Sequence, residues 1–323
     1  MLTITNATQT QLVLWDSLVT KSDEGTIFHS RKFLSYHQER FVKSEKQLVW
    51  LKGEQLFGVM PTVVCELNGK NTLLSPYGAS FGGPIFRKTL KLKEGDEAIR
   101  ALINYLDSNE IANCSLTLSP AIYNEKNSEV IGYCLEKYGF KLVSRDIFSV
   151  IGLKGKSYED VWQGYEGRAR TSIRKSKEQF EIKTDAIIDE FYNILVEDKN
   201  RLNSTPTHSL EQLKQLKSLF PKQVWVDIAT HKESGTKAGI CYFMPSTNTV
   251  LTFYMAQETR ALKLNGVSVL VDFGIHNAVK NGCTYFDFGG SSIGYDIENI
   301  GVANFKESFG AYSVSRPSYV RQR

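Results

Sequence analysis

The sequence has 323 residues, of which 41% are hydrophobic and 23% are charged, and its formal net charge at pH 7 is +4. This composition is that of a globular protein and argues against extensive disorder, and the length favours two domains over one core. The charge is too mild to indicate nucleic-acid binding by itself. No apolar run has the length of a membrane span and the polar start does not resemble a signal peptide, so we expect a cytoplasmic protein. The five cysteines form neither a CxxC pair nor a set with metal-ligand spacing, which predicts buried thiols in a reducing compartment and no metal site.

The first half of the chain has the pattern of an α/β unit. Helical spacing of apolar residues predicts helices over 8–20, from Ser30 to about Phe41, over 93–110 and over 129–138. Runs of β-branched and aromatic residues predict strands over 47–52, 56–67, 115–118 and 146–153, with turns at Gly53–Glu54 and Asn68–Gly69. We expect this unit to end near Gly152–Ser157, which divides the chain into domains of residues 1–150 and 151–323.

A helix rich in positive charge opens the second half. Ser157 and Asp160 have the spacing of a capping box, and apolar residues four apart continue the helix to Ile173. Positive side chains without an intervening acid cover its other faces, at Arg168, Arg170, Arg174, Lys175 and Lys177. Such a run is either a solvated surface or, since like charges this close repel one another, a phosphate-binding surface.

The remainder of the second half predicts a sheet with one parallel crossover. Two helices, over 185–202 and 209–219, precede an antiparallel meander of strands over 224–230, 238–244 and 249–256. A helix then begins at Asn265–Gly266 and ends near Lys280, a strand follows over 284–288, and a short helix carries Lys306. This strand–helix–strand order is a βαβ unit, and the N-terminus of its helix offers unpaired N–H groups to a phosphate or an oxyanion.

The order of these elements resembles the acetyltransferase fold called GNAT. The segments RARTSIRKSK, AVKNGCTYFDFGG and GVANFKESFG resemble the Fem-type aminoacyl transferases of peptidoglycan bridges and the related acyltransferases of polysaccharide gene clusters. In the first half, SPYGASFGGPIF and LSPAIY are similar to the first domain of that family. The resemblance covers nearly the whole chain and implies an α+β (α/β) fold of two GNAT-like domains in tandem, each a mixed, mostly antiparallel sheet flanked by helices.

The same resemblance implies an N-acyltransferase. Its substrate would be the amine of a nucleotide- or lipid-linked cell-envelope precursor, and its donor either acyl-CoA or aminoacyl-tRNA. The turn ALKLNGVS holds a single glycine where acyl-CoA enzymes of the fold have a glycine-rich turn, which weakens the case for coenzyme A. The mild net charge argues against a large tRNA footprint, because counterion-releasing contacts to phosphates need many Lys and Arg residues. The alternative function, from a different class, is that of a binding module that has no catalytic activity.

Residue roles also follow from the resemblance. The donor would contact the start of the crossover helix and the end of the following strand, at Asn265, Gly266, Val267, Ser268, Gly289 and Gly290. The acceptor would contact the basic helix at Arg168, Arg170, Arg174 and Lys175, and the glycine-rich loop at Tyr77, Ser80 and Phe81, unless that loop is only an irregular crossing. The candidate catalytic residues are Lys306, as a fixed positive charge, Asp287 and Tyr254. If they are not catalytic, Lys306 is a surface lysine, Asp287 is a carboxylate that caps the next turn, and Tyr254 is a core aromatic residue.

Overall fold

The computed structural model describes residues 2–126, 128–292 and 300–322, and of Gln38 the backbone alone. Within these residues the chain forms two compact units. The first contains residues 2–147 and 314–322, and the second contains residues 148–292 and 300–313. The end of the chain therefore belongs to the first unit.

The first unit is built on two sets of strands with four α-helices. The elements are β1 (Leu2–Asn6), α1 (Gln9–Lys21), α2 (Arg31–Leu34), β2 (Leu48–Lys52), β3 (Gln55–Met60), β4 (Val63–Leu67), β5 (Lys70–Ser75), β6 (Ile85–Phe86), α3 (Leu92–Ser108), β7 (Asn113–Thr117), α4 (Val130–Lys137) and the beginning of β8 (Lys141–Gly152). One sheet has the order β1-β2-β3-β6, and β4, β5 and β7 are neighbours in that order. The apolar face of α3 packs on a core that contains Trp50, Leu102 and Leu116.

Proline changes the strand predicted over 56–67. It is two strands, β3 and β4, interrupted at Pro61, which has no N–H to donate to a ladder. β3 pairs with β2, whereas β4 forms a hairpin with β5 that turns at Asn68–Gly69 as predicted. The sequence patterns did not predict β5, whose last residue, Ser75, already belongs to the glycine-rich segment SPYGASFGGPIF. The helix predicted from Ser30 to Phe41 is α2 followed by a 3-10 turn, and the Ser30 side chain caps it by accepting from Phe33 N at 3.0 Å.

The second unit has the predicted meander followed by the parallel crossover. It contains the end of β8, α5 (Tyr158–Gln163), α6 (Gly167–Ser176), β9 (Phe180–Lys183), α7 (Ile188–Arg201), α8 (Leu210–Leu219), β10 (Val224–His231), β11 (Lys237–Ser246), β12 (Thr249–Gln257), α9 (Gly266–Lys280), β13 (Tyr285–Gly290) and α10 (Ile300–Glu307). β14 (Tyr312–Gln322) follows, and its residues 318–322 pair with β7 in the first unit. The strand order in the second unit is β8-β13-β12-β11-β10-β9, and among the strands that the structure describes there only the β12–β13 pair is parallel. The predicted mixed, mostly antiparallel sheet flanked by helices is confirmed in this unit.

The basic helix is shorter than predicted, because the chain breaks between α5 and α6. The capping box is confirmed, since Ser157 and Asp160 each accept a hydrogen bond from the other's backbone N–H. At Gly164 the helix ends, Tyr165 turns into the core with 2% of its surface exposed, and Glu166 N donates to Ser308 O at 2.9 Å. A backbone contact from a distant segment therefore overrides the continuous helical spacing.

Candidate functional site

The parallel strands β12 and β13 pair over three residues and then separate. The partners are Thr249 with Tyr285, Val250 with Phe286, and Leu251 with Asp287. Beyond Leu251, β12 continues along β11 to Gln257, while β13 continues along β8 to Gly290. Neighbouring strands that follow different partners leave a gap at their carboxyl ends, which is where open α/β sheets bind ligands. The register therefore shows that β12 and β13 diverge beyond Leu251.

Helix α9 begins at the residues predicted to contact a donor. Asn265 adopts the left-handed conformation with a φ of 61°, and its carbonyl accepts the first helical bond from Val269 N at 3.1 Å. The N–H groups of the first turn, including those of Val267 and Ser268, therefore have no partner inside the helix and are aligned with its positive dipole end. Exposed Arg260 and Lys263 add positive charge in the segment just before the helix. These features fit a phosphate group, although contact with Asn265, Val267 and Ser268 stays a prediction.

Packing explains the glycine at the start of α9. Gly266 is buried, and a Cβ atom on it would lie 2.9 Å from Ala238 Cβ and 3.1 Å from Phe180 Cε1. Only glycine lets the helix approach β11 and β9 this closely. The single glycine of this turn is therefore required by the core, whether or not a ligand also uses it.

Lys306 is buried at the end of β13. Only 1% of its surface is exposed, so the alternative of a surface lysine is wrong. Its Nζ donates to Gly290 O at 2.6 Å, to Gly289 O at 3.0 Å and to Ser291 Oγ at 3.0 Å. Burial lowers the pKa of Lys306 to about 8, while the negative charge of nearby Asp287 acts to raise it. The side chain is therefore mainly an ammonium at pH 7, held against the carbonyl groups that end the strand.

Asp287 supports the same turn from the other side. The residue is fully buried, and its Oδ1 accepts a hydrogen bond from Gly289 N at 2.6 Å. Gly289 has a φ of +72°, which glycine adopts without strain, and the pairing of β13 with β8 shifts register between Asp287 and Gly290. Asp287 thus caps the turn that follows β13, as one of its two predicted roles requires. That Asp287 also orients a substrate amine stays a prediction.

Tyr254 belongs to a polar pair that the sequence did not reveal. Its hydroxyl lies 2.8 Å from His208 Nδ1, and burial raises the pKa of the phenol. A β-bulge at Phe253 displaces β12 from β11, because Tyr254 is opposite Cys241 while Thr252 is opposite Tyr242. Bulges often re-aim side chains beside active sites. No local pattern predicts this pairing, since Tyr254 and His208 are separated by 46 positions.

Thr252 is a second residue that sequence reasoning overlooked. It directly follows Leu251, the last residue of β12 that pairs with β13, and its Oγ1 is buried without a hydrogen-bond partner among the described residues. A buried hydroxyl without a partner has a desolvation cost that a bound polar group would remove. Its position marks the mouth of the strand gap as a place where a ligand could supply that partner.

The basic helix divides its arginines among different contacts. Arg168 is exposed and lies 3.4 Å from Glu166, whereas Arg170 donates to Gln163 O at 3.1 Å and to Gln163 Oε1 at 3.2 Å. The guanidinium of Arg174 lies 5.5 Å from the ring centre of Trp162 and borders a cavity of about 230 Å³ that Lys177 and Asp272 also line. Lys175 is exposed. Phosphate binding by this helix stays a prediction.

The three loop residues predicted to contact the acceptor lie in the first unit and have structural contacts. Tyr77 is 4% exposed, accepts from Gln47 Nε2 at 2.6 Å and donates to Glu45 Oε1 at 3.1 Å. Phe81 is fully buried, with an edge-on contact to the ring of Phe28, and the backbone carbonyl of Ser80 accepts from Arg316. These contacts account for the residues as parts of the fold, and a substrate contact stays a prediction.

Within residues 2–126, 128–292 and 300–322, no group of three or more His, Cys, Asp or Glu side chains could hold a metal ion. Across the same ranges, no helix combines the length and the apolar composition that crossing a membrane requires.

Comparison with known proteins identifies the fold. No family model and no curated protein matches the sequence. Among solved structures, FemX matches with a TM-score of 0.72 and 11% identity over 99% of this chain and 97% of its own. L-PGS from Bacillus licheniformis matches with a TM-score of 0.58 and 12% identity over 98% of this chain and 93% of its own. A tandem GNAT protein from the clavulanic acid biosynthesis pathway matches with a TM-score of 0.56 and 9% identity over 100% of this chain and 98% of its own. The chain therefore has the Fem-type, tandem GNAT-like fold.

Proposed function

We propose that the protein is an N-acyltransferase that transfers an acyl or aminoacyl group to an amine of a cell-envelope precursor. The observation that carries the proposal is the construction of the strand gap in the second unit. There the divergence of β12 and β13, the N-terminus of α9 and the buried ammonium of Lys306 belong to consecutive elements of one βαβ unit and the helix after it. The resemblance to FemX and to the tandem GNAT protein supports the fold on which this chemistry would run.

The donor in this proposal is an acyl thioester of coenzyme A. When bound, it would supply the activated carbonyl group and a thiolate leaving group. The first-turn N–H groups of α9 would hold its phosphates, and exposed Arg260 and Lys263 would add charge there. Aminoacyl-tRNA is the alternative donor.

The transfer itself needs no covalent intermediate on the protein. The amine nitrogen attacks the carbonyl carbon, the carbon–sulfur bond breaks, and the amide forms as the thiol leaves. Lys306 would stabilise the negative charge that develops on the carbonyl oxygen, and for this it must exchange one of its three present acceptors. Tyr254, whose pKa is raised by burial, would donate its hydroxyl proton to the leaving sulfur, while a hydrogen bond from His208 Nδ1–H holds the phenol oxygen. The proton that the attacking amine loses would then return to the Tyr254 oxygen.

The acceptor in this proposal is a nucleotide-linked amino sugar or muropeptide, with a lipid-linked precursor as the alternative. Its diphosphate would bind the positive face of α6, where Arg174 and Lys175 are exposed. Such precursors are made in the cytoplasm, and we propose that location. The five cysteines, all free thiols here, fit a reducing compartment.

One observation favours a second candidate function, a binding module without catalysis. The ammonium of Lys306 has three N–H groups, and all three are directed at protein acceptors. A lysine that only stabilises the end of β13 would have this arrangement. The two functions predict the same ligand binding and differ in turnover.

The test combines ligand binding with product detection on the full chain. Coenzyme A and acetyl-CoA are first added in a thermal unfolding assay, where a ligand at 100 times its dissociation constant stabilises by about 2.7 kcal/mol. Acetyl-CoA is then incubated with UDP-linked amino sugars and muropeptides, and amide products and free thiol are measured by mass spectrometry and thiol titration. A parallel reaction with aminoacyl-tRNA tests the alternative donor.

A charge variant locates the donor site. Ser268→Asp places a negative charge in the first turn of α9, where it favours the helix dipole but repels a phosphate. We expect an unchanged or higher melting temperature together with loss of stabilisation by coenzyme A. Ser218→Asp makes the same change at an exposed position of α8 and should retain the ligand effect. The proposal fails if neither donor binds, or if both variants respond to coenzyme A as the wild type does; binding without any product supports the binding module.

A further inference from the structure

The first unit contains a strand divergence of its own, with a cavity at that point. β5 pairs in parallel with β7 up to Ser75 and Leu116, and the parallel contact resumes at a bridge between Gly82 and Leu118. After the bridge the two chains follow different partners, since Ile85 pairs with β3 whereas Leu118 N donates to Pro317 O at 3.0 Å. A cavity of about 280 Å³ lies here and is bordered by residues of both diverging segments. Its volume approaches the range of small-molecule sites.

A buried carboxyl group borders this cavity. Glu24 follows α1, only 8% of its surface is exposed, and it is one of the lining residues. Its side chain makes no hydrogen bond or ion pair with any residue among 2–126, 128–292 and 300–322, although its backbone N donates to Ser22 Oγ at 3.1 Å. A carboxyl group this deeply buried normally has a partner, because its desolvation is otherwise uncompensated.

Electrostatics indicates what kind of partner is missing. Burial, together with the smaller effect of the neighbouring charge of Asp23, raises the pKa of Glu24 to about 7. Among the described residues, the other charged ones that border the cavity are Glu129 and Arg145, both exposed. Two carboxylates and one guanidinium disfavour a phosphate or a carboxylate ligand and favour a group that donates hydrogen bonds.

The rest of the lining suits a ring with hydroxyl groups. Ser119, Ser128 and Asn124 border the cavity and can each donate or accept a hydrogen bond. Pro84 and Leu118 contribute apolar surface next to them. A ligand with C–H groups on one side and hydroxyl groups around its edge would satisfy both kinds of lining.

We propose that this cavity in the first unit is a binding site for a small hydroxylated amine of the amino-sugar class, with its ammonium group paired to the Glu24 carboxylate. The site is separate from the candidate donor site at α9, because the bordering residues that the structure describes all belong to the first unit. The proposal does not depend on the proposed transferase activity.

The test uses the full chain and three probes that differ at one position. D-glucosamine carries the ammonium group, D-glucose has a hydroxyl group there, and N-acetyl-D-glucosamine has a neutral amide. Binding at pH 7 is measured by ligand-observed NMR and by calorimetric titration. For a ligand of this size we expect a dissociation constant on the order of 1–10 mM for D-glucosamine. We expect at least tenfold weaker binding of the two neutral sugars, since they cannot form the ion pair.

Two matched variants locate the binding. Glu24→Gln keeps the shape of the side chain and removes its charge, and should weaken D-glucosamine binding at least tenfold. Glu66→Gln makes the same change on an exposed residue of β4 that does not border the cavity, and should leave binding unchanged. Equal affinities of the three sugars for the wild type would overturn the proposal without any variant. So would the absence of saturable D-glucosamine binding, or an affinity that Glu24→Gln leaves intact.

Discussion

Replacement of Lys306 by methionine measures how much this ammonium contributes to the second unit. Methionine keeps the length of the side chain but leaves the acceptors on Gly289, Gly290 and Ser291 without their donor. Three hydrogen bonds from a charged donor are together worth about 4.5–9 kcal/mol. Against this stands the cost of burying the charge, since a pKa lowered from 10.5 to about 8 corresponds to about 3.4 kcal/mol. We therefore expect Lys306→Met to lower the free energy of unfolding by about 1–6 kcal/mol.

Urea unfolding at pH 7 is the assay, with Lys280→Met as the matched control. Lys280 is exposed in the last turn of α9, so its replacement should change the free energy of unfolding by less than about 0.5 kcal/mol. Equal stabilities of the two variants would refute the reasoning.

Turnover is a separate readout, measured on Lys306 variants that remain folded. Loss of an oxyanion donor worth about 2.7–4 kcal/mol predicts that Lys306→Ala lowers kcat at least a hundredfold and changes KM little. Arginine should recover activity only in part, because its planar fork differs from a compact ammonium. An alanine variant with unchanged kcat would leave Lys306 a purely structural role.

Three further predictions concern other parts of the chain. Replacing both Arg170 and Arg174 by alanine should weaken binding of a UDP-linked acceptor at least tenfold while the melting temperature changes little; a loss of stability alone would make the helix structural. Glu24 has a pKa of about 7 when folded and 4.5 as its ordinary value, so its contribution to stability is complete below pH 4.5 and is lost as the pH rises through 7. In urea unfolding, the free energy of unfolding of Glu24→Gln relative to that of the wild type should therefore rise by up to about 3 kcal/mol between pH 4.5 and 8. If the free energies of the two proteins change in parallel with pH, this prediction is wrong. Gly266→Ala should destabilise by about 1–3 kcal/mol through contact with Ala238. Gly167→Ala, at the start of α6 with no atom within 4 Å of the added Cβ, should be neutral or slightly stabilising in the same unfolding assay.

Local chemistry was sufficient to predict the elements that depend on residues close in sequence. The capping box at Ser157 and the hairpin turn at Asn68–Gly69 are short-range hydrogen-bonding and backbone preferences, and both are present. The meander of β10, β11 and β12 and the parallel crossover through α9 follow from periodicity and turn spacing. Together these elements were enough to indicate the fold.

Contacts between distant segments decided the remainder. The break between α5 and α6 depends on the bond from Glu166 N to a carbonyl at Ser308, and the return of β14 to the first unit depends on its pairing with β7. Short strands such as β1 and β9 were missed, because a few residues carry too little pattern of their own.

The chemistry of the candidate sites was likewise only partly visible in the sequence. Its residue types and order singled out Lys306, but nothing local indicates that the side chain would be buried against Gly289 and Gly290, 17 and 16 positions away. The pairing of Tyr254 with His208 and the cavity beside Glu24 were not predicted at all. The physical reason is the same in each case: burial, hydrogen-bond partners and shifted pKa values are properties of the surroundings, and residues far apart in the chain supply those surroundings only after folding.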